Sequence, residues 1–218
     1  MADQTAHEVA REKMVDSQVR PNQVNDRRVI GAMRALPREA FAPAGSFAYA
    51  DADISLGQGR FMLAPMLTAR LAQLVLANDP KHVLVVGAGS GYLAAILSLA
   101  GAHVVALEEH AALTNGALAQ YAPGVERATG KLTAGWPAGG PFDAIIIEGA
   151  VPAIPDVFAA QLTPEGRIVT ILADGPTSGG IGRAVIAEPG SAGFSTAKMF
   201  DCTARILPEF RQAPVFSF

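Results

Sequence analysis

The chain has 218 residues, with 17 Lys and Arg against 20 Asp and Glu; half of it is hydrophobic and only 17% is charged. That composition excludes a disordered chain, and a formal charge of −3 excludes a nucleic-acid binder that works by bulk electrostatics. The lone cysteine, Cys202, excludes an intramolecular disulfide framework and suits a reducing, cytoplasmic setting.

The first twenty residues are mixed in charge and lack an apolar core, so they read as a surface helix and not as a signal peptide. The helix is expected to end before Pro21, because the residue preceding a proline is pushed out of the helical region. Asn25 or Asp26 caps a second helix, whose Val29, Ile30, Met33 and Leu36 share one face until Pro37 stops it. From Phe41 to Pro65 the sequence is irregular, with Phe41, Phe47, Tyr49 and Phe61 pinning an ordered loop. Loops of that length in a compact domain are usually functional. Pro65 then opens a helix that runs to Asn78.

His82 to Leu107 is a run of 26 residues without a charge. Its length exceeds the ~20 residues of a membrane span, but its glycines would split such a helix in two. The alternative is a strand, a turn, a buried helix and a second strand. The rest of the chain supports the alternative, with strand 82–86, helix 90–100, strand 103–107, helix 111–121 and a short strand near 124–128. Strand 142–148, helix 155–162 and strand 166–172 follow. This alternation predicts a parallel sheet covered by helices on both faces, which needs such unbroken apolar runs. Residues 181–188, the turn-forming PGSAG and residues 194–206 predict a terminal antiparallel hairpin. No composition break divides the chain. One domain is expected over 1–218, with 1–65 as an N-terminal extension and 66–218 as a Rossmann-like α/β core.

The first strand–helix turn holds Gly87, Gly89 and Gly91. Glycine lets the backbone turn sharply and approach a ligand, and the following helix presents unpaired N–H groups. A dinucleotide fingerprint requires glycine at the sixth position, where Tyr92 stands. Glycines at the first, third and fifth positions are typical of S-adenosylmethionine (SAM) enzymes. Glu108 and Glu109 close the second strand, the former seventeen residues after Gly91. A carboxylate there can accept both ribose hydroxyls of a nucleoside; Glu108 is the favoured candidate of the two. The competing reading is a structural turn, with both glutamates at the positive end of the next helix. His7, His82, His103 and His110 show no metal-ligand spacing and read as surface histidines, and Trp136 reads as a loop anchor.

With these features in place, the chain resembles the protein-L-isoaspartate O-methyltransferases over nearly its whole length. VIGAMRALPREAFAP is similar to that family's N-terminal segment, and AYADADISLGQG to its Tyr-x-Asp segment and Gly-Gln loop. VLVVGAGSGYLAAIL resembles its SAM turn, and GWPAGGPFDAIIIEGAVPAIPDVFAAQLTPEGRIV the stretch holding its fourth and fifth strands. The resemblance implies a mostly parallel, seven-stranded SAM-methyltransferase sheet with a C-terminal antiparallel hairpin and added N-terminal helices. It implies SAM as cofactor and methyl transfer to the carboxylate of isoaspartyl residues in damaged proteins. The cofactor residues carried over are Gly87, Ala88, Gly89, Ser90, Gly91, Tyr92 and Glu108, with Lys131 and Leu132 where the family has its adenine-holding Gly-Asp-Gly segment. Gln58, Arg60 and Glu148 are placed on the catalytic, substrate side.

Three departures from the family pattern follow. The Gly-Gln loop lacks the family's Thr-Ile-Ser: no hydroxyl lies between Gly57 and Pro65, and the stretch is two residues longer. Val85 replaces the usual acidic residue two places before the first glycine. Glu148 stands where the family has a small or hydroxyl residue. Arg60 is either a solvated loop arginine or a clamp for an acidic substrate, since a guanidinium binds a carboxylate through two hydrogen bonds. In the second case it leaves cofactor binding untouched. Glu148 is a base, a partner for the cofactor's ammonium, a salt-bridge partner of Arg60, or a structural group. The departures keep two alternatives open: a SAM enzyme for another carboxylate substrate, and a SAM-binding protein without catalysis. The apolar N-terminal loop serves either as a substrate lid or as a homodimer contact; no membrane or nucleic-acid partner is expected.

Overall fold

The computed structural model describes residues 2–113, 116–175, 180–191 and 193–211. The N-terminal part begins with α1 (Ala2–Met14), which widens into a π turn at Val15–Val19 and tightens into a 3-10 turn at Arg20–Asn22. The helix therefore passes through Pro21 instead of ending before it. Pro21 has no N–H to extend the ladder, and the Asn22 side-chain amide donates instead to the Gln18 carbonyl at 2.7 Å. Gln23, at φ 65°, ends the run. Next come α2 (Arg27–Ala35), capped by the Asp26 side chain accepting from the Arg28 N–H, and α3 (Arg38–Phe41).

The loop expected at 41–65 contains a small antiparallel hairpin, β1 (Ile54–Gly57) and β2 (Arg60–Met62). Its two-residue turn has positive φ at both Gln58 (51°) and Gly59 (72°), the conformation that suits tight hairpins. Then α4 (Pro65–Leu76) leads into the main sheet.

That sheet takes β3 (His82–Val86), α5 (Tyr92–Leu99), β4 (His103–Glu108), α6 (Ala117–Tyr121), β5 (Glu126–Thr129), β6 (Phe142–Val151), β7 (Leu162–Ala173), β8 (Ile181–Gly190) and β9 (Gly193–Thr203). The order is β5-β4-β3-β6-β7-β8-β9. The first five are mutually parallel and the last two join antiparallel. Ala192, in the expected PGSAG turn, lies outside the described residues. Of the expected helix 111–121, residues 114–115 lie outside the described residues; the rest is a 3-10 turn at Ala111–Leu113 and the short α6, which follows Gly116 at φ 83°. The expected helix 155–162 is a 3-10 run, Asp156–Gln161.

The uncharged run 82–107 thus becomes β3, the glycine turn, α5 and β4, and among the described residues no helix is long and apolar enough to cross a membrane. Alternation along β3 sends Val83 and Val85 into one apolar cluster with α2, α4 and α5, and Leu84 and Val86 into the other with Phe142 and Phe158. α5 is buried from Tyr92 to Leu97, which explains why its sequence is apolar all round. Because Val86 pairs with both Leu107 and Ile147, and Glu108 with Thr129, the next positions Gly87, Glu108, Thr129 and Glu148 line up along one carboxyl edge. β3 is where the strand order reverses, the place at which open α/β sheets bind ligands.

Candidate active site: the carboxyl edge of β3, β4 and β6

The turn after β3 is built from backbone. Gly87, Gly89 and Gly91 all take positive φ, at 77°, 54° and 89°, a region that side chains disfavour. The Gly87 and Ala88 N–H groups both donate to the Leu107 carbonyl, at 3.0 and 3.1 Å, tying the turn to β4. The Gly89 N–H points instead at the Glu108 carboxylate, 2.9 Å from Oε2. Glu108 Oε1 accepts from the N–H groups of Glu109 (2.7 Å) and His110 (3.1 Å). Glu108 is buried and turned toward the glycines. Glu109 turns the other way, accepting from the Leu132 N–H at 3.3 Å. The two candidate carboxylates are therefore separated by geometry, with Glu108 at the turn and Glu109 at the 131–132 segment.

Arg60, expected to face substrate, lies against Glu108. The β1–β2 hairpin folds over the glycine turn and lowers the guanidinium onto the carboxylate, Nε to Oε2 and Nη2 to Oε1, each at 3.2 Å. The third nitrogen, Nη1, donates to Glu209 Oε2 at 2.6 Å, and Glu209 Oε1 meets His110 Nε2 at 3.2 Å. Arg60 is 1% exposed. Burial opposes its charge, but the hydrogen bonds to Glu209 and Glu108 outweigh it and hold its pKa above the usual arginine range. Burial likewise pushes Glu209 upward, and the Arg60 hydrogen bond, its own backbone N–H and His110 reverse the shift, leaving it below the usual carboxylate range.

Apolar groups complete the cover. Leu56 of β1 sits so close to Gly89 that a Cβ there would fall 2.8 Å from its Cδ1. Leu207 packs on Gly87 and on Gly149, where a Cβ would meet it at 3.4 and 2.7 Å. Gly59 is covered by Pro208, whose Cγ would lie 2.5 Å from such a Cβ. The hairpin and the segment 204–211 thus meet above the turn. Beside Glu108 and Gly89 remains a cavity of about 20 Å³, room for about one water, whereas a cofactor-sized ligand needs several hundred Å³. The residue types are those of a nucleoside cradle, but in this conformation the cradle does not admit a nucleoside.

The other expected residues distribute around this centre. Ala88 and Ser90 are buried in the turn, with the Ser90 hydroxyl 3.8 Å from Met62 Sδ. Tyr92 is fully buried beneath it, edge-on to Phe41 and 4.8 Å under the Arg38 guanidinium. Leu132 is buried near Leu207, while Lys131 is exposed. Gln58 is an exposed turn residue at the hairpin tip. Glu148 is buried, and its Oε2 has no hydrogen-bond partner among the described residues. Burial drives its pKa well above the usual value; the Glu108 charge adds to this, and Arg38 and Arg60 oppose it. Arg60 pairs with Glu108 and Glu209 and makes no ion pair with Glu148.

Sequence reasoning missed Glu209, His110, Leu207 and Arg38. Arg60 and Glu209 are 149 positions apart, and no local pattern reports such a pairing. Arg38 could have been found in the PREAFAP stretch. It is fully buried, with Nε donating to Ala48 O at 2.8 Å and Nη2 to Leu63 O at 2.6 Å, so it ties both ends of the irregular loop.

The family model described as protein-L-isoaspartate(D-aspartate) O-methyltransferase matches residues 9–176. A protein-L-isoaspartate O-methyltransferase of Methylorubrum extorquens is 42% identical over 166 residues, covering 73% of this chain and 72% of its own. One of Rhodopseudomonas palustris is 38% identical over 164 residues, covering 72% and 74%. Among solved structures, one described as a protein-L-isoaspartate O-methyltransferase from Plasmodium falciparum in complex with S-adenosyl-L-homocysteine superposes with a TM-score of 0.72 at 18% identity. It covers 93% of this chain and 98% of that one, and shows the shared fold. A match across three quarters of the sequence, with a relative at 42% identity, places this chain in the protein-L-isoaspartate O-methyltransferase family.

Proposed function

We propose that the protein is a SAM-dependent methyltransferase acting on the carboxylate of isoaspartyl residues in peptides or damaged proteins, in the cytoplasm. The observation that carries this reading is the Glu108 carboxylate held against the Gly89 N–H at the strand-order reversal, in a chain of this family. Glu108 would hold the ribose hydroxyls, the 87–91 turn the chain beyond the ribose, and the Gly130–Leu132 segment the adenine. Bound SAM supplies an electrophilic methyl group. The substrate carboxylate is already a nucleophile, so the chain's contribution is alignment and exclusion of water. Glu148 lies buried at the same carboxyl edge, with burial pushing its pKa well above the usual carboxylate value.

A second reading retains SAM and changes the acidic substrate. It is favoured by the absence of any hydroxyl in the Gly57–Pro65 stretch. Methyl transfer from labelled SAM to an isoaspartyl peptide, measured beside its normal aspartyl twin, separates the two. Base-labile label on the isoaspartyl peptide alone is the expected result. Equal background on both peptides, with SAM bound, eliminates isoaspartyl repair and leaves the second reading.

A further inference from the structure

The charged groups over the glycine turn form a closed chain of contacts from three distant parts of the sequence. Arg60 comes from the hairpin, Glu108 and His110 from the end of β4, and Glu209 from the short 3-10 turn Pro208–Phe210. The carboxylate that a ribose would engage has both oxygens held by a guanidinium in a fork geometry. A ribose offers two hydroxyl donors at nearly the same places. The guanidinium and a nucleoside therefore compete for one acceptor, and both cannot hold it.

We infer that Arg60 is a self-occupying latch: its guanidinium takes the ribose-binding carboxylate of Glu108 in the ligand-free protein, and Glu209 locks it there. Nucleoside entry requires Arg60 to leave Glu108 and the hairpin to part from segment 204–211. The inference rests on the proposed function for the identity of the ligand, and on this structure alone for the closed state. Two features beyond the ion pairs support closure. Gly59 is the position at which the hairpin tip touches Pro208, and any side chain there would collide with it. Leu56 and Leu207 each seat on a glycine of the turn, so the cover is apolar as well as ionic.

The latch makes Arg60 a determinant of affinity with a sign opposite to that of an ordinary contact. The apparent dissociation constant is the intrinsic one divided by the open fraction, so it rises steeply as the latch closes. Glu209, whose side chain reaches the surface at 16% exposure, offers a milder way to loosen the same contact.

The test uses the full chain, its Arg60→Ala variant and, should that one fold poorly, Glu209→Gln. Amide exchange is followed in the ligand-free proteins over 54–62 and 204–211, and S-adenosylhomocysteine is titrated by calorimetry. The expected result is exchange at least tenfold faster in both segments, with binding about 100-fold tighter for Arg60→Ala and less so for Glu209→Gln. Faster exchange with no binding to any of the proteins sinks the cofactor reading and overturns the latch with it, leaving the ion pairs as a structural joint; faster exchange with binding unchanged from the parent overturns the latch alone. Unchanged exchange with unchanged binding overturns the latch, and so does weaker binding in Arg60→Ala, which would make Arg60 a cofactor contact.

Discussion

Glu148 shows how one residue can carry two kinds of information. Its carboxyl is buried and its pKa is raised well above 4.5, so the unfolded chain releases this proton at a lower pH than the folded one. Between those two pKa values the folded state binds more protons, and stability falls as pH rises. Glu148→Gln keeps the shape and removes the titration. Its urea midpoint should exceed that of the parent at pH 8, and the advantage should vanish below about pH 4.5. An equal gain at both pH values would mean that the effect is packing. Arg38 behaves differently: carbonyls take its Nε and Nη2, while Nη1 has no hydrogen-bond partner among the described residues and burial lowers its pKa. Arg38→Met strips the Ala48 carbonyl of a donor and leaves the Leu63 carbonyl with the Thr68 hydroxyl alone. A loss of about 2–3 kcal/mol in urea unfolding is expected, with faster protease cleavage between 41 and 65. At this scale the sequence was informative where chemistry is local: Glu108 follows from its place at the end of an apolar strand. It singled out Arg60 but set it facing substrate, because the partners it actually meets, Glu108 and Glu209, lie 48 and 149 positions away.

Elements were readable wherever periodicity and punctuation agreed. Strands β3, β4, β6 and β7 and helices α4 and α5 follow from apolar runs bounded by Gly, Pro and Asp, and the terminal hairpin from its alternation. The misses share a cause: each is a segment in which side-chain and glycine contacts override the local pattern. Helix α1 continues through Pro21 because Asn22 replaces the missing donor. The β1–β2 hairpin hides in Gly57-Gln58-Gly59, where a turn-competent Gln58 stands in the usual place of Asn. In segment 111–121, Gly116 takes φ 83° directly before α6, a conformation outside the right-handed helical region. Helix α2 is the counterexample in which the cap was legible. Asp26 Oδ1 accepts from the Arg28 N–H at 2.8 Å, and the Arg28 side chain returns to the same carboxylate. Asp26→Ala should cost about 1 kcal/mol in urea unfolding at pH 7. Hydrogen bonding to Arg28 holds the Asp26 pKa below 3.8, so its contribution is present above that pH and fades as pH falls through the lowered value. The difference between the two proteins should therefore shrink in acid; a constant difference down to pH 2 would exclude the carboxylate as its source.

For the molecule as a whole, low charge density has a specific consequence. With charges so sparse, the buried cluster at the carboxyl edge joins an N-terminal hairpin to the C-terminal segment across a parallel sheet, and the fold's stability becomes linked to its ligand. The latch exists in the ligand-free folded state. It is absent from the unfolded chain, and absent from a complex in which ribose holds Glu108. Removing it must then lower ligand-free stability and raise affinity by the same free energy. Breaking a buried ion pair costs about 3 kcal/mol, although Glu108 keeps three backbone N–H donors that limit its penalty. The same 3 kcal/mol is a factor of about 100 in the dissociation constant. Ligand stabilises by the logarithm of its concentration over that constant, so in saturating S-adenosylhomocysteine the two effects cancel. Arg60→Ala should unfold at lower urea than the parent when ligand-free and at the same urea when saturated. If the variant remains less stable by the same amount in both conditions, Arg60 is holding the complex together as firmly as the free protein, and the carboxyl edge is a structural joint that does not open.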